Sequence, residues 1–297
     1  MKPTRIGVVI NPVSGRHGRR PGEADRRRRV VERAITVAGH VADVRVTTGA
    51  GQGRALAAAC IADGCALVIA MGGDGTVNEV AQALVGTDVP LAIVPCGSGD
   101  GLALGLGVPS NWHDALRVAM TGTPSRMDVG YANDRLFLNL AGIGFDAAVA
   151  HRFARRGTRG LVGYVQSTLS LVWTYRASHY VLQCGDQRRE GRMFLLGIAN
   201  AAVYGNGAVL SRDADVRDGL LDVAVVRAGS PLSQIWRARR LFWRHRAPAD
   251  GVERLRAETV TVTGDHMVYH LDGEPCETSG TLAFRVAPLA LDVITPA

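Results

Sequence analysis

The chain has 297 residues, enough for two domains, and 47% of them are hydrophobic and 21% charged, a composition that excludes a disordered chain. The formal net charge is +7 and the single lysine is Lys2, so arginine carries nearly all of the positive charge. A basic surface could face nucleic acid, anionic phospholipid or polyphosphate, but arginine spread over solvated faces explains the charge equally well.

Cysteine usage and hydropathy indicate the setting of the chain. The five cysteines are widely spaced, without a CxxC motif or a His/Cys cluster, and indicate neither a disulfide framework nor a zinc site. The apolar run near the first residue is too short for a signal peptide, and no run reaches the ~18 apolar residues of a membrane span. We therefore expect a cytoplasmic protein whose association with a membrane, if it occurs, is peripheral.

Apolar strands alternate with helix-length segments over residues 1–127. This alternation is typical of parallel βαβ units, in which ligands bind at the carboxyl ends of the strands. We predict an N-terminal α/β nucleotide-binding domain here. Its expected strands are 7–10, 41–46, 66–71 and 91–94, and its expected helices are 23–38, 52–63 and 76–85.

The pattern changes over residues 128–297 to short β-like runs separated by turns. Such runs predict a mostly antiparallel β domain. The expected strands lie at 135–140, 180–184, 193–200, 220–226, 258–264 and 281–286, and helix-like insertions interrupt them at 160–176 and 231–246.

Small residues form loops at the predicted carboxyl ends of the strands, namely NPVSG (11–15), GGDGT (72–76) and PCGSGDG (95–101). Glycines permit close approach of the backbone to a ligand, and N–H groups at a helix start hold phosphate oxygens. Asp74 and Glu79 add carboxylates, and Thr76 can cap the helix or contact phosphate. Neither a Walker A loop nor a GxGxxG fingerprint is present. The loops together predict a phosphate-binding edge.

Eight motifs, in their order along the chain, resemble the diacylglycerol kinase catalytic-domain family, in particular the compact bacterial lipid kinases akin to diacylglycerol and sphingosine kinases. The resemblance covers essentially the whole chain. It implies an N-terminal phosphofructokinase-like α/β lobe, a C-terminal antiparallel β-sandwich, and an active site in the cleft between the lobes. The motifs are NPVSG (11–15), GGDGTVNEV (72–80), VPCGSG (94–99), MDVG (127–130), NLAGIGFDA (139–147), NAAVYGNG (200–207), DVRDGLLDV (215–223) and HLDGEP (270–275).

The resemblance implies Mg-ATP as the phosphoryl donor. Thr47 and Thr48 are equally good candidates for the contact from the loop TTGAG (47–51), and Asp74 is expected to organise the glycine turn. The implied nucleotide contacts are Asn11, Thr47, Gly72, Gly73, Gly75, Thr76, Asn78, Gly97 and Ser98.

Acidic residues of the second domain match the remaining functional positions of the family. Asp272 resembles its proton acceptor, and Glu274, two residues on, is expected on the same side of a strand. Asp215 and Asp218, with the carbonyl of Leu220, resemble its structural metal site, whose oxygen ligands suit Mg²⁺. Plain turns with solvated acids are the alternative for both Asp-Gly pairs.

The fourth loop departs from the family pattern. Diacylglycerol kinases commonly read G-T-G-N-D there, whereas this chain has GSGDG (97–101), whose serine resembles sphingosine-kinase-like members. The acceptor therefore stays open between a diacylglycerol-like, a phosphatidylglycerol-like and a sphingoid lipid.

The expected partners are ATP and a lipid substrate at a membrane surface, without nucleic acid, and the choice between monomer and homodimer stays open. Trp236 and Trp243 lie on one face of the insertion 231–246 with arginines beside them. Tryptophan with arginine is typical of a bilayer interface, although a helix packed on the sandwich would look similar.

Two other functions compete with a lipid kinase. A NAD-kinase-like enzyme also uses GGDGT followed by Asn-Glu, but the motifs of the second domain argue against it. A catalytically silent lipid- or nucleotide-binding module would keep the loops and lose the proton acceptor, whereas Asp272 is present.

Overall fold

The computed structural model describes residues 3–15, 22–97, 99–156, 171–204, 208–209, 214–230, 232–234 and 252–297. The chain divides into two compact units, Met1–Met127 with Leu289–Ala297 and Asp128–Pro288. Ser98 and most of both predicted insertions, including Trp236 and Trp243, lie outside the described residues.

The first unit alternates strands and helices. Its strands are β1 (Arg5–Ile10), β2 (Val41–Val46), β3 (Leu67–Gly72), β4 (Leu91–Pro95) and the start of β5 (Thr123–Ala132), and its helices are α1 (Glu23–Val37), α2 (Gln52–Ala62), α3 (Asp74–Leu84), α4 (Gly101–Gly105) and α5 (Trp112–Thr121).

A parallel sheet in the order β4-β3-β1-β2 forms the centre of this unit. Every residue of β4, and nearly every residue of β1 and β3, is buried, as expected for strands covered on both faces. The predicted α/β architecture is confirmed. Parallel strands bring their carboxyl ends to one edge, which places the small-residue loops together.

The predicted helices 23–38, 52–63 and 76–85 correspond to α1, α2 and α3, whereas α4 and α5 were not predicted. The start of α5 carries a clear signal, because the Asn111 side chain accepts a hydrogen bond from the His113 backbone N–H at 2.9 Å, a standard N-cap. Its buried face is formed by Ala115, Leu116 and Ala119. Among the described residues, no helix combines the length and apolarity needed to cross a bilayer.

The second unit, from Asp128, is built mainly from antiparallel strands. Its elements are the remainder of β5, then β6 (Arg135–Phe137), β7 (Leu140–Gly144), α6 (Phe145–Arg156), β8 (Ser178–Cys184), β9 (Gln187–Ala199), β10 (Val203–Tyr204), β11 (Ala208–Val209), β12 (Leu221–Arg227), β13 (Val252–Ala257), β14 (Thr259–Leu271) and β15 (Glu274–Thr295).

The long strands β9 and β14 wrap this sheet around a core. Each pairs with β7 over one part of its length and with β8 over another, so β7 and β8 both lie between them. Phe137, Leu182, Leu196 and Phe284 are among the side chains buried inside. The predicted antiparallel β-sandwich-like domain is confirmed.

The end of β15 belongs to the first unit. Val293 pairs in parallel with Leu91 of β4, and the Gly86 N–H donates to the Ala290 carbonyl at 3.0 Å. Residues 289–297 were predicted to belong to the second domain, whereas they lie in the first unit because they add a strand beside β4.

Asp43, Cys60 and Cys65 converge beside Gly7, with potential ligand atoms within 4.8 Å of one another, although their spacing in the sequence predicts no cluster. Burial raises the pKa of Cys60 to about 12 and also raises that of Cys65. Arg45 donates to both carboxylate oxygens of Asp43, at 3.0 and 2.8 Å. Protonated thiols beside a neutralised carboxylate act here as core packing.

Candidate functional site

Backbone hydrogen bonds join the loops that follow β1 to β4. The N–H of Asn11 donates to Met71 O at 2.9 Å, that of Thr47 to Ile10 O at 2.9 Å, and that of Cys96 to Gly72 O at 2.7 Å. The first residue after each of β1, β2 and β4 is thus held by the strand beside it. Loops that lie far apart in the sequence become one rigid edge.

Asn11 and Thr76 connect the first loop to the glycine turn. The Asn11 side-chain amide donates to the Thr76 hydroxyl at 3.0 Å, and its oxygen accepts from the Val13 N–H at 3.2 Å. A Cβ atom on Gly72 would lie 2.5 Å from both Cβ and Oγ1 of Thr76, so this position requires glycine.

The glycine turn leads directly into α3. Gly73 is the N-cap residue with extended backbone, and Asp74, Gly75, Thr76 and Asn78 form the first turns of the helix. The N–H groups of this helix start suit an anion. The Asn78 side-chain oxygen accepts from Gln82 at 2.8 Å.

Gly97 lies against Gly73, since a Cβ atom on Gly97 would be 2.8 Å from the Gly73 Cα. The Asp100 carboxylate accepts from the Gly97 N–H at 3.0 Å, and Asp100 itself has left-handed backbone with φ 47°. Burial, together with the charge of Asp74, raises the pKa of Asp100 to about 7. The acid that departs from the family pattern therefore has a raised pKa at this edge.

Glu79 secures the loop before α2. Its carboxylate accepts from the N–H groups of Gly51 at 2.8 Å and Gly53 at 2.7 Å. From the sequence, Glu79 was expected only to add a carboxylate beside the glycines. In the structure, Glu79 ties α3 to the loop 47–51.

Thr47 and Thr48 differ in accessibility. Thr47 is buried, and its hydroxyl lies 3.4 Å from Ile10 O. Thr48 is exposed, and its N–H and hydroxyl donate to the Gln52 side-chain oxygen at 2.8 and 3.1 Å. Thr47 therefore fits a role in shaping the loop, and Thr48 is the better placed of the two for direct contact.

Arg27 supports the loop that follows β1, a role that was not predicted from the sequence. Its buried guanidinium donates to Ser14 O at 3.1 Å, approaches Asn11 O at 3.5 Å and pairs with Glu23 at 3.1 Å. Burial by itself would raise the pKa of Glu23, but Arg27 and Arg26 hold that pKa below its ordinary value. The i,i+4 spacing of Glu23 and Arg27 was the available signal.

In the second unit, Asp272 lies in the hairpin turn between β14 and β15. Asp272 and Gly273 have φ values of 49° and 89°, and Leu271 pairs with Glu274 across the turn. Positive φ at both central residues is the geometry of an Asp-Gly type I′ turn. The expectation that Asp272 and Glu274 are strand neighbours on one side was therefore wrong, and the Glu274 side chain is exposed.

The Asp272 carboxylate is anchored, unlike a solvated turn acid. It accepts backbone N–H groups from Leu138 at 2.8 Å, Asn139 at 2.9 Å and Leu140 at 3.0 Å. The Asp272 N–H in turn donates to Leu140 O at 2.9 Å. These bonds fix the position of the carboxylate at the start of β7.

Asp215, Asp218 and Leu220 lie in one turn before β12. Asp215 accepts from the Arg217 N–H at 3.1 Å, and Asp218 accepts from the Leu220 N–H at 2.9 Å and forms an ion pair with Arg256. Buried Asp128, for which the sequence analysis assigned no role, holds this turn by accepting the Gly219 N–H at 2.7 Å.

Two family models match the chain. Residues 5–132 match the diacylglycerol kinase catalytic domain, and residues 139–295 match the YegS C-terminal NAD kinase beta sandwich-like domain. A protein of Chromohalobacter salexigens named "probable lipid kinase YegS-like" is 36% identical over 249 residues, covering 82% of this chain and 80% of its own. The chain belongs to the diacylglycerol kinase-like lipid kinase family.

Further relatives of this lipid kinase match over nearly their whole length. A YegS-like protein of Pseudomonas putida is 34% identical, with 95% of this chain and 94% of its own covered. A diacylglycerol kinase of Mycobacterium tuberculosis is 29% identical, with coverage of 98% and 95%. A crystal structure of a diacylglycerol kinase from Bacillus anthracis superposes with a TM-score of 0.76 at 19% identity, covering 99% of this chain and 98% of that one, which shows a shared fold.

Proposed function

We propose that this lipid kinase transfers the γ-phosphoryl group of Mg-ATP to the hydroxyl of a lipid acceptor. The observation that carries the proposal is the joined set of loops at the carboxyl edge of the first unit. There Gly97 lies against Gly73 where α3 begins. Two backbone segments that lie so close together, with no side chain between them, offer N–H groups that favour the oxygens of a polyphosphate.

The residues at this edge fit ATP by their chemistry. The turn Gly72–Gly73 and the first turn of α3, from Asp74 through Gly75 and Thr76 to Asn78, would hold phosphate oxygens. Asn11, Gly97 and Ser98 would complete the contacts, with Thr47 shaping the neighbouring loop and Thr48 facing the nucleotide. Bound ATP supplies the phosphoryl group that is transferred. Arg27 fixes the first loop and places a positive charge beneath it.

Asp272 is the proposed proton acceptor. Its three backbone N–H donors hold the carboxylate in one orientation, as a general base must be held to meet a substrate hydroxyl. Asp272 would take the proton of the lipid hydroxyl. The exposed Glu274 carboxylate lies 3.9 Å from the Arg135 guanidinium. Glu274 is proposed to influence the electrostatic potential around Asp272.

A separate Mg²⁺ is proposed at the turn that carries Asp215, Asp218 and the Leu220 carbonyl. Carboxylate and carbonyl oxygens are the donors that this hard cation prefers. Asp218 already pairs with Arg256, so Arg256 would have to leave for the carboxylate to bind the cation. Asp128 would hold the turn in either state.

Transfer of label from [γ-³²P]ATP to a panel of diacylglycerol, phosphatidylglycerol, a sphingoid base and NAD tests the proposal. We expect label in a lipid. The Asp272→Asn variant should lose roughly 10²–10⁴-fold in turnover while it still binds ATP, because the amide cannot accept a proton and its NH2 group cannot accept one of the backbone N–H groups that orient the carboxylate. Asp265→Asn, on an exposed part of the same strand, is the matched control and should behave like the parent.

NAD belongs in the panel because the second family model describes a NAD kinase-like sandwich. Label that appears only in NADP would replace the lipid kinase with a NAD kinase. Label in neither, with ATP still bound, would leave a nucleotide-binding module. Near-parent turnover in Asp272→Asn would remove Asp272 as the proton acceptor.

A further inference from the structure

A buried pair of ionisable side chains lies next to the Asp272 turn. His270 Nε2 is 2.8 Å from Asp146 Oδ2, and the exposed fractions of the two residues are 0% and 6%. Gly142 lies opposite His270 in the sheet, where a Cβ atom would clash with the ring and lie 2.7 Å from the Asp146 carboxylate. Buried pairs of this kind are costly to desolvate and often no more stable than apolar side chains, so their presence calls for a reason beyond stability.

The second ring nitrogen of His270 reaches the turn itself. Nδ1 lies 3.3 Å from the Gly273 backbone N, in position to accept its N–H. A neutral imidazole that accepts at Nδ1 carries its hydrogen on Nε2, which then donates to Asp146. The bond to Gly273 is long, but a carboxylate on the far side of the ring polarises it and strengthens the acceptor.

The turn is thereby held from two directions. On one side the Asp272 carboxylate accepts three N–H groups from the start of β7. On the other side His270 holds Gly273, the residue that follows Asp272. Asp272 is one of the two central residues of this turn, so a rotation of its backbone would move the carboxylate.

We propose that Asp146 and His270 are positioning residues, which act through the Gly273 N–H to set the orientation of the Asp272 carboxylate for phosphoryl transfer. This inference rests on the proposed role of Asp272 as proton acceptor. Misplacement of a reacting group by about 1 Å can cost on the order of 10²-fold in rate. Losing the His270 acceptor should therefore lower kcat and leave the KM for ATP unchanged.

Two replacements of His270 separate its two contacts. In His270→Asn the amide oxygen takes the place of Nδ1 and can still accept from Gly273, whereas in His270→Gln the amide nitrogen takes the place of Nε2 and can reach only Asp146. We expect His270→Asn to retain kcat within several-fold of the parent and His270→Gln to lose about 10-fold or more. Asp146→Asn keeps the shape and should give an intermediate loss. His266→Asn, exposed on the same strand, should equal the parent.

The readouts distinguish positioning from packing. Loss of packing alone would lower the melting temperature and kcat in both His270 variants alike, and equal kcat in folded variants would overturn the inference. Where a His270 variant does not fold, the amide chemical shift of Gly273 is measured in Asp146→Asn instead. An unchanged shift would mean that Asp146 does not act on the Gly273 N–H through His270, and would overturn the inference. A parent without lipid kinase activity would overturn the proposed function, and this inference with it.

Discussion

Asp100 makes the stability of the first unit depend on pH in a direction opposite to that of an ordinary salt-bridged acid. Its pKa is raised from 3.8 to about 7 by burial and by the charge of Asp74. Between about pH 4 and pH 7, the folded chain therefore keeps a proton that the unfolded chain has released. The free energy of unfolding should fall as pH rises through this window and level off above about pH 7.

Asp100→Asn removes this titration while its amide oxygen can still accept the Gly97 N–H. A difference of about three pKa units corresponds to about 4 kcal/mol, an upper bound because the side chain is only partly buried. We therefore expect the variant to match the parent at pH 4 and to be about 1–4 kcal/mol more stable at pH 8.

Hydrogen exchange of the buried β4 amides measures the effect within the first unit. With ATP and Mg²⁺ absent, and with parent and variant compared at the same pH, exchange at pH 8 should be slowed about 10-fold or more in Asp100→Asn. Asp88→Asn, exposed in the same unit, is the matched control and should follow the parent. If the parent and Asp100→Asn exchange at equal rates at pH 8, burial and Asp74 do not disfavour the Asp100 carboxylate, and the reasoning fails.

Three further predictions concern the ligand sites. Gly72→Ala should weaken ATP binding roughly 10-fold or more in calorimetric titrations, because its Cβ would displace Thr76; an unchanged dissociation constant would make the turn purely structural. Without ATP, Mg²⁺ should raise the melting temperature of the parent but not of a variant with Asp215→Ala and Asp218→Ala, since a ligand that binds only the folded state stabilises it; equal responses would leave a plain turn. Arg256→Ala should respond at lower Mg²⁺ concentration than the parent, because Asp218 loses its competing cation, and a weaker response would refute that competition.

Local residue patterns were sufficient to predict the strands and loops of the first unit. Runs of apolar residues predicted β1, β3 and β4 within two residues, because a strand buried on both faces must be apolar throughout. The more polar run VADVRV predicted β2 at its observed bounds, although this strand is only partly buried. The same alternation placed the small-residue loops at one edge, because parallel strands leave no other arrangement. Helix α5 was not predicted, although Asn111, which caps its first turn, was a signal available in the sequence.

Only the tertiary structure decided how the acidic residues are held. Asp272 meets the N–H groups of Leu138 to Leu140, and His270 meets Asp146, across more than a hundred residues of sequence. Such pairs depend on strand register, which brings β14 beside β7 and puts Gly142 opposite His270. Register is set by the whole core, since a shift of one residue would turn every side chain to the other face. The sequence motifs therefore located the acids and supported a hypothesis for their chemistry, whereas the partners that orient them follow from long-range pairing that no local pattern encodes.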